Sequence, residues 1–203
     1  VTKKISRRSF IKKGTTIGVG SMAAGSIIAG VGRPSPIFAS VKGKPGLSVV
    51  QGENYFKNTL KAVEQIGGMS KYVPKGSKVA ILANPQRNNP GAYTKPEILK
   101  AAIQMCKKAG AQEINCITLQ KESSWENTGL KKVVDEEGVN IVLVGRKEED
   151  KFVLKKVPKG VSLKETRIMK EYYNNDVFIN MPITKDHAGN KFTGTLKNLM
   201  GIN

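Results

Sequence analysis

VFINMPITKDHAGNKFTGTLKNLMG, residues 177–201, is the stretch on which the reading of this chain turns. Val177, Phe178 and Ile179 follow Asp176 as an unbroken apolar run, the pattern of a short buried strand. The run opens into a polar segment holding the chain's only histidine, His187, between Lys185 and Lys191. Thr193-Gly194-Thr195 and Lys197-Asn198-Leu199-Met200-Gly201 follow. In α/β proteins, ligands bind where a strand's C-terminal end gives way to glycines, hydroxyls and charged groups.

Working outward, the preceding chain alternates between two periods. Lys78-Val79-Ala80-Ile81-Leu82-Ala83 is nearly all apolar, as a strand buried on both faces should be. It ends in the polar loop Asn84-Pro85-Gln86-Arg87. Thr94-Lys95-Pro96-Glu97 reads as a helix start, with Thr94 as N-cap, an early proline and Glu97 reaching back. Leu99, Ala102, Ile103 and Cys106 then share one face, with Lys100, Gln104, Lys107 and Lys108 opposite, until Gly110 stops the helix. Residues 113–119 form the next expected strand, 125–137 one helix closed by Gly138, and 139–144 a further strand. Residues 152–157 read as an edge strand, and 163–173 as a short helix or irregular chain. Upstream, 47–50 is a short first strand and 53–66 a helix ending at Gly67-Gly68. Such alternation implies an α/β fold. We expect a Rossmann-like three-layer sandwich, its mainly parallel sheet covered by helices on both faces.

Charge and cysteines bound the function. Lys plus Arg number 34 against 16 acids, a net +18. Residues 1–39 hold seven cations and no acid, leaving 27 − 16 = +11 on the rest. That favours anionic ligands or surfaces. The lysines are scattered and no basic stripe with interleaved aromatics occurs, so nucleic acid is not expected as a partner. Cys106 and Cys116 stand outside any C-x-x-C or zinc spacing, so no metal site is assigned and no Cys₄ iron–sulfur cluster can be built from this chain alone. Both read as buried small hydrophobes, with a disulfide between them as the alternative in an oxidising compartment.

Ser6-Arg7-Arg8-Ser9-Phe10-Ile11-Lys12-Lys13 resembles the twin-arginine export signal. A Gly/Ala/Ser-rich apolar run over 14–31, then Arg33, Pro34 and Pro36, complete a leader spanning 1–39, with cleavage expected near Ala39 or Ser40. Residues 40–52 are then a linker with the first strand, and 53–203 the α/β domain. The resemblance implies a periplasmic or extracytoplasmic protein that meets the twin-arginine translocase during export and touches the membrane only through an uncleaved leader.

Ordered landmarks carry a further likeness. They are Gly67-Gly68-Met69, Asn84-Pro85, Thr94…Pro96-Glu97, Lys108-Ala109-Gly110-Ala111, residues 176–182, Lys185-Asp186-His187, and Thr193-Gly194 with Leu196-Lys197-Asn198-Leu199-Met200-Gly201. Together they resemble the family called domain of unknown function 362, whose members are sometimes fused to ferredoxin-like iron–sulfur modules. Those modules' cysteines are absent here. Family members usually continue past the Lys-Asn-Leu-Met-Gly stretch, which implies a truncated or minimal version of the family fold. A weaker similarity, through His187, Thr193-Gly194, Lys197 and Gly201, is to lactate racemases that use a nickel-pincer cofactor. Here a second histidine and a second glycine are missing.

The site expected from these readings has two walls. His187, whose ordinary pKa suits proton transfer, and Lys197, set among small residues, are the candidate catalytic groups. Lys185, Thr193, Gly194 and Asn198 on the same stretch, with Asn84 and Arg87 on the opposing loop, are the candidate ligand-binding groups. The cofactor is not specified by any motif. Two functional readings follow. One is an exported protein binding a small anion or a redox or metal cofactor. The other is a non-catalytic accessory subunit working with a redox partner protein, or a fragment of a longer family member.

Overall fold

The structure, a computed structural model, describes residues 37–39, 46–86, 88–189 and 191–203, all within the unit Pro36–Asn203. The expected leader, apart from the backbone of Ile37–Ala39, and Arg87 lie outside the described residues. Four strands form one parallel sheet: β3 (Lys78–Ala83), β4 (Glu113–Thr118), β5 (Asn140–Leu143) and β8 (Val177–Met181), in the spatial order β5-β4-β3-β8. The helix α2 (Pro96–Ala109) connects β3 to β4. Two short helices, α3 (Glu122–Asn127) and α4 (Leu130–Glu136), connect β4 to β5. This is an α/β sandwich built on a parallel sheet, as the alternating pattern implied.

The pleat divides the apolar residues into two cores. On one face Val79, Ile81 and Ala83 of β3 and Ile114 and Cys116 of β4 pack with Leu99, Ile103 and Cys106 of α2 and with Trp125, Leu130 and Val134 of α3 and α4. Lys100–Glu136, at 3.0 Å, and Gln104–Glu137, at 2.7 Å, tie α2 to α4 along the exposed rim. The helix α1 (Tyr55–Gln65) buries none of its residues and lies against α2. On the other face Ala80 and Leu82 of β3 and Ile117 of β4 pack against Phe152, Met169 and Ile202. These come from a β-ribbon, β6 (Phe152–Lys156) paired antiparallel with β7 (Glu165–Met169), and from a C-terminal 3₁₀ turn, Leu199–Ile202. The third layer is therefore this ribbon and turn, with the one-turn helix α5 (Lys170–Tyr173) beside them, in place of long helices.

Several local expectations change. Residues 152–157 do not border the parallel sheet, because residues 165–169 are a strand that pairs with them instead. The helix expected over 125–137 breaks at Thr128-Gly129. Gly129 has φ +73°, a left-handed conformation glycine adopts at little cost, and the Thr128 hydroxyl donates to the Ser124 carbonyl. Thr94 does not cap α2; Lys95 occupies the N-cap with no side-chain bond, and Pro96 opens the helix. Finally, β2 (Leu47–Val49) pairs antiparallel with β1 (Ile37–Ala39) and stays apart from the parallel sheet.

No helix among the described residues is long and apolar enough to cross a membrane. Both cysteines are buried and unpaired with each other. Burial pushes the Cys106 thiol up to about 11; burial, with Cys106 nearby, pushes Cys116 up to about 12. At pH 8 only about one Cys106 in a thousand is then thiolate, the reactive form. Ellman's reagent should leave both thiols untouched in the native protein and label both in denaturant. Because the folded thiols hold their protons more tightly than unfolded ones, their contribution to stability is present below about pH 9. It should fall away as pH rises through 11 to 12.

Candidate functional site

Parallel strands present their C-terminal ends along one edge, and the chain leaves β3 and β8 toward opposite faces. After β3 it runs into α2 on the first core. After β8 it reaches the 3₁₀ turn whose Ile202 joins the second. The strand register is fixed at both ends. At the start of β8, the Asp176 amide donates to the Lys78 carbonyl at 2.9 Å and the Lys78 amide donates to the Asp176 carboxylate at 2.8 Å. At the far end the Thr94 hydroxyl donates to the Met181 carbonyl at 2.7 Å and accepts from the Asn84 amide at 2.9 Å. This tertiary bond is why Thr94 is not a helix cap. Between β3 and β8 a crevice opens, the position at which open α/β sheets bind ligands.

The polypeptide after β8 folds back over that crevice. Lys185–His187 (β9) and Lys191–Thr193 (β10) form a hairpin in which Lys185 faces Thr193 and His187 faces Lys191. The one-turn helix α6 (Thr195–Asn198) follows and ends in the 3₁₀ turn. Its buried Asn198 is the central polar contact. The Asn198 amide nitrogen donates to the Leu82 carbonyl at 3.1 Å and to Asn180 Oδ1 at 2.7 Å. Asn198 Oδ1 accepts from Asn84 Nδ2 at 3.1 Å. Asn180 in turn donates to the Thr195 carbonyl, and Asn84 Oδ1 accepts from the Gln86 amide. Gly201 lies so close to β3 that a Cβ there would stand 3.3 Å from Leu82 Cδ1.

The resulting cleft, about 150 Å³, is lined by residues from the ends of all four parallel strands. β3 and its loop give Asn84 and Gln86. β4 and its turn give Thr118 and Gln120, the Thr118 hydroxyl accepting from the Gln120 amide at 3.0 Å. Past β5 stands Arg146, and from the segment after β8 come Lys185, His187, Thr193, Lys197 and Asn198. Lys185 Nζ donates to the Ala92 carbonyl at 2.6 Å, joining the hairpin to the loop after β3. The Gly189 amide donates to His187 Nδ1 at 3.1 Å, so Nδ1 is the bare nitrogen and Nε2 carries the proton. Among the described residues no group of three histidines, cysteines or carboxylates stands together as a metal site.

Six residues singled out from sequence converge on this cleft: Asn84, Lys185, His187, Thr193, Lys197 and Asn198. Asn198, although it lines the cleft, spends both amide hydrogens on the fold. Gly194 instead precedes α6, where a Cβ would meet the Phe192 ring at 3.3 Å. Arg87 lies outside the described residues. Arg146, Thr118 and Gln120 escaped the sequence reading. The rule that ligands sit at strand C-terminal ends, applied to 113–119 and 139–144, points to all three.

The family described as "Domain of unknown function (DUF362)" matches residues 78–203, a span that covers the sheet and the whole cleft. A thylakoid-associated protein of Synechocystis sp. is 29% identical over 168 residues, covering 76% of this chain. The chain spans 50% of that relative's length. No solved structure matches.

Replacing Asn198 by leucine strands the Leu82 carbonyl, Asn180 Oδ1 and Asn84 Nδ2 at once. Leaving a buried group unpaired costs about 1–3 kcal/mol. Asn198→Leu should therefore lower stability by about 2–4 kcal/mol in urea unfolding, with an unchanged slope against denaturant. The exposed Asn174→Ala should cost less than about 0.5 kcal/mol.

Proposed function

The chain belongs to the DUF362 family, and we propose that it binds a small anionic ligand in the cleft at the carboxyl ends of β3, β4, β5 and β8. One observation carries this reading. Among the described residues, Arg146, Lys185 and Lys197 line the cleft and no aspartate or glutamate does. Lysine and arginine normally stand in water or against carboxylates. Cations lining a concave site without acids raise the local concentration of anions. Lys197 is half-buried on the short helix that Asn198 fixes, so its backbone is set in place before a ligand arrives. His187, Thr193 and Gln86 add further polar groups to the cleft wall. In a reacting complex Lys197 is the anchoring cation, and the His187 imidazole is the candidate proton carrier.

We place this activity outside the cytoplasm. The twin-arginine likeness of residues 6–13 supports that placement, with the translocase as partner during export. The relative's description as thylakoid-associated fits a protein that works at a membrane system.

Thermal unfolding in chloride, acetate and phosphate at one ionic strength tests the ligand. The wild-type midpoint should rise with acetate or phosphate above the chloride value, and Lys197→Gln should weaken that binding roughly tenfold or more. Midpoints that follow ionic strength alone would refute anion binding, and a stable partner protein in pull-downs would then favour an accessory subunit. Export is checked separately. Arg7→Lys combined with Arg8→Lys should hold the protein in the cytoplasmic fraction, and unchanged export would remove the twin-arginine route.

A further inference from the structure

The cations of the cleft are not gathered at one spot. Arg146 follows β5 and the Lys185–His187 hairpin follows β8, and these are the two outer strands of the sheet. Neighbouring strands lie about 4.8 Å apart, so the outer strands stand about 14 Å from each other, bridged in part by long side chains from either side. Between them the cleft is lined by neutral groups: Thr118 and Gln120 after β4, Asn84 and Gln86 after β3. Lys197 adds its charge over β3 and β8, where Asn198 ties its helix to Leu82 and Asn180, so the positive groups stand on both sides of these hydrogen-bonding neutral ones.

Arg146 is held in place by its backbone. Arg167 of β7 donates to the Arg146 carbonyl at 3.0 Å and is itself ion-paired to Glu149. The Glu148 carboxylate caps the loop by accepting from the Gly145 amide, and the Val144 amide is bonded to the Thr118 carbonyl. The Arg146 guanidinium is exposed, and among the described residues no carboxylate pairs with it. Two braced sources of positive charge at opposite ends of one small cleft remain under-neutralised by a ligand with a single anionic centre.

We infer that the ligand is a short dicarboxylate, one carboxylate held by the planar fork of Arg146 and the other by Lys197 and the His187 hairpin, its spacer crossing Thr118, Gln120, Asn84 and Gln86. This rests on the anion-binding reading above and narrows it. The planar guanidinium matches a carboxylate bidentately, whereas lysine acts as a point charge, so the two ends differ in geometry. The cleft is small, near 150 Å³, which favours a short spacer. The amides and hydroxyls of the middle offer partners to a hydroxyl on the spacer.

Isothermal titration of the full chain with acetate, phosphate, succinate and glutarate at one ionic strength and pH tests this. Phosphate carries comparable charge on a single centre, so it separates spacing from charge. Succinate or glutarate should bind roughly tenfold or more tightly than both acetate and phosphate. Arg146→Gln should erase that preference while acetate still binds, since the exposed guanidinium makes no fold contact among the described residues. Lys197→Gln should weaken all four. A diacid no tighter than acetate or phosphate, or a preference that survives Arg146→Gln, overturns the dicarboxylate assignment while anion binding stands. If none of the four binds, both readings fall.

Discussion

The Asn198 amide holds the site together. It reaches the carbonyl of Leu82 on β3, the side chain of Asn180 on β8 and the side chain of Asn84 beyond β3. Each such bond nets only about 1 kcal/mol, yet each partner left unpaired in the interior costs about 1–3 kcal/mol. A satisfied amide network therefore selects one arrangement of these segments against its alternatives. Lys197 precedes Asn198, and Gly201 follows close against Leu82, so the position of Lys197 in the cleft follows from an uncharged contact.

That arrangement depends in turn on the register between β3 and β8. Asp176 fixes it at one end and Thr94 at the other. A slip of one residue would turn Ile179 from the helical core and move Asn180 away from Asn198. Thr94 also joins the start of α2 to the strand ends, which makes the loop after β3 part of the wall. The cleft is thus the edge of the sheet, continued by braced loops.

The legibility of the fold tracks the range of the interactions involved. The apolar run of β3, the one-sided pattern of α2 and the strand at Val177 are local signals, and the structure places each close to its expected bounds. Gly129 was visible, but a glycine inside a periodic pattern does not announce whether a helix breaks there. Residues 165–169 carry charged and small polar positions, and only their partner strand, 152–156, stabilises them as β. The site was legible in half. The segment after β8 drew notice through its histidine and glycines, whereas Arg146 is one exposed cation among 34 basic residues.

By itself the sequence determined the class of the fold, the order of its main elements and the residues of the C-terminal wall, because hydrophobic periodicity and turn chemistry act between near neighbours in the chain. The tertiary structure alone decided that Thr94 bonds Met181, that Asn198 is committed to the fold, and that Arg146 shares a cleft with Lys185 and Lys197. Those pairings join segments as much as 116 residues apart, as Asn198 and Leu82 are. No local pattern encodes them, since they arise only when parallel pairing brings the carboxyl ends of separate strands to one edge.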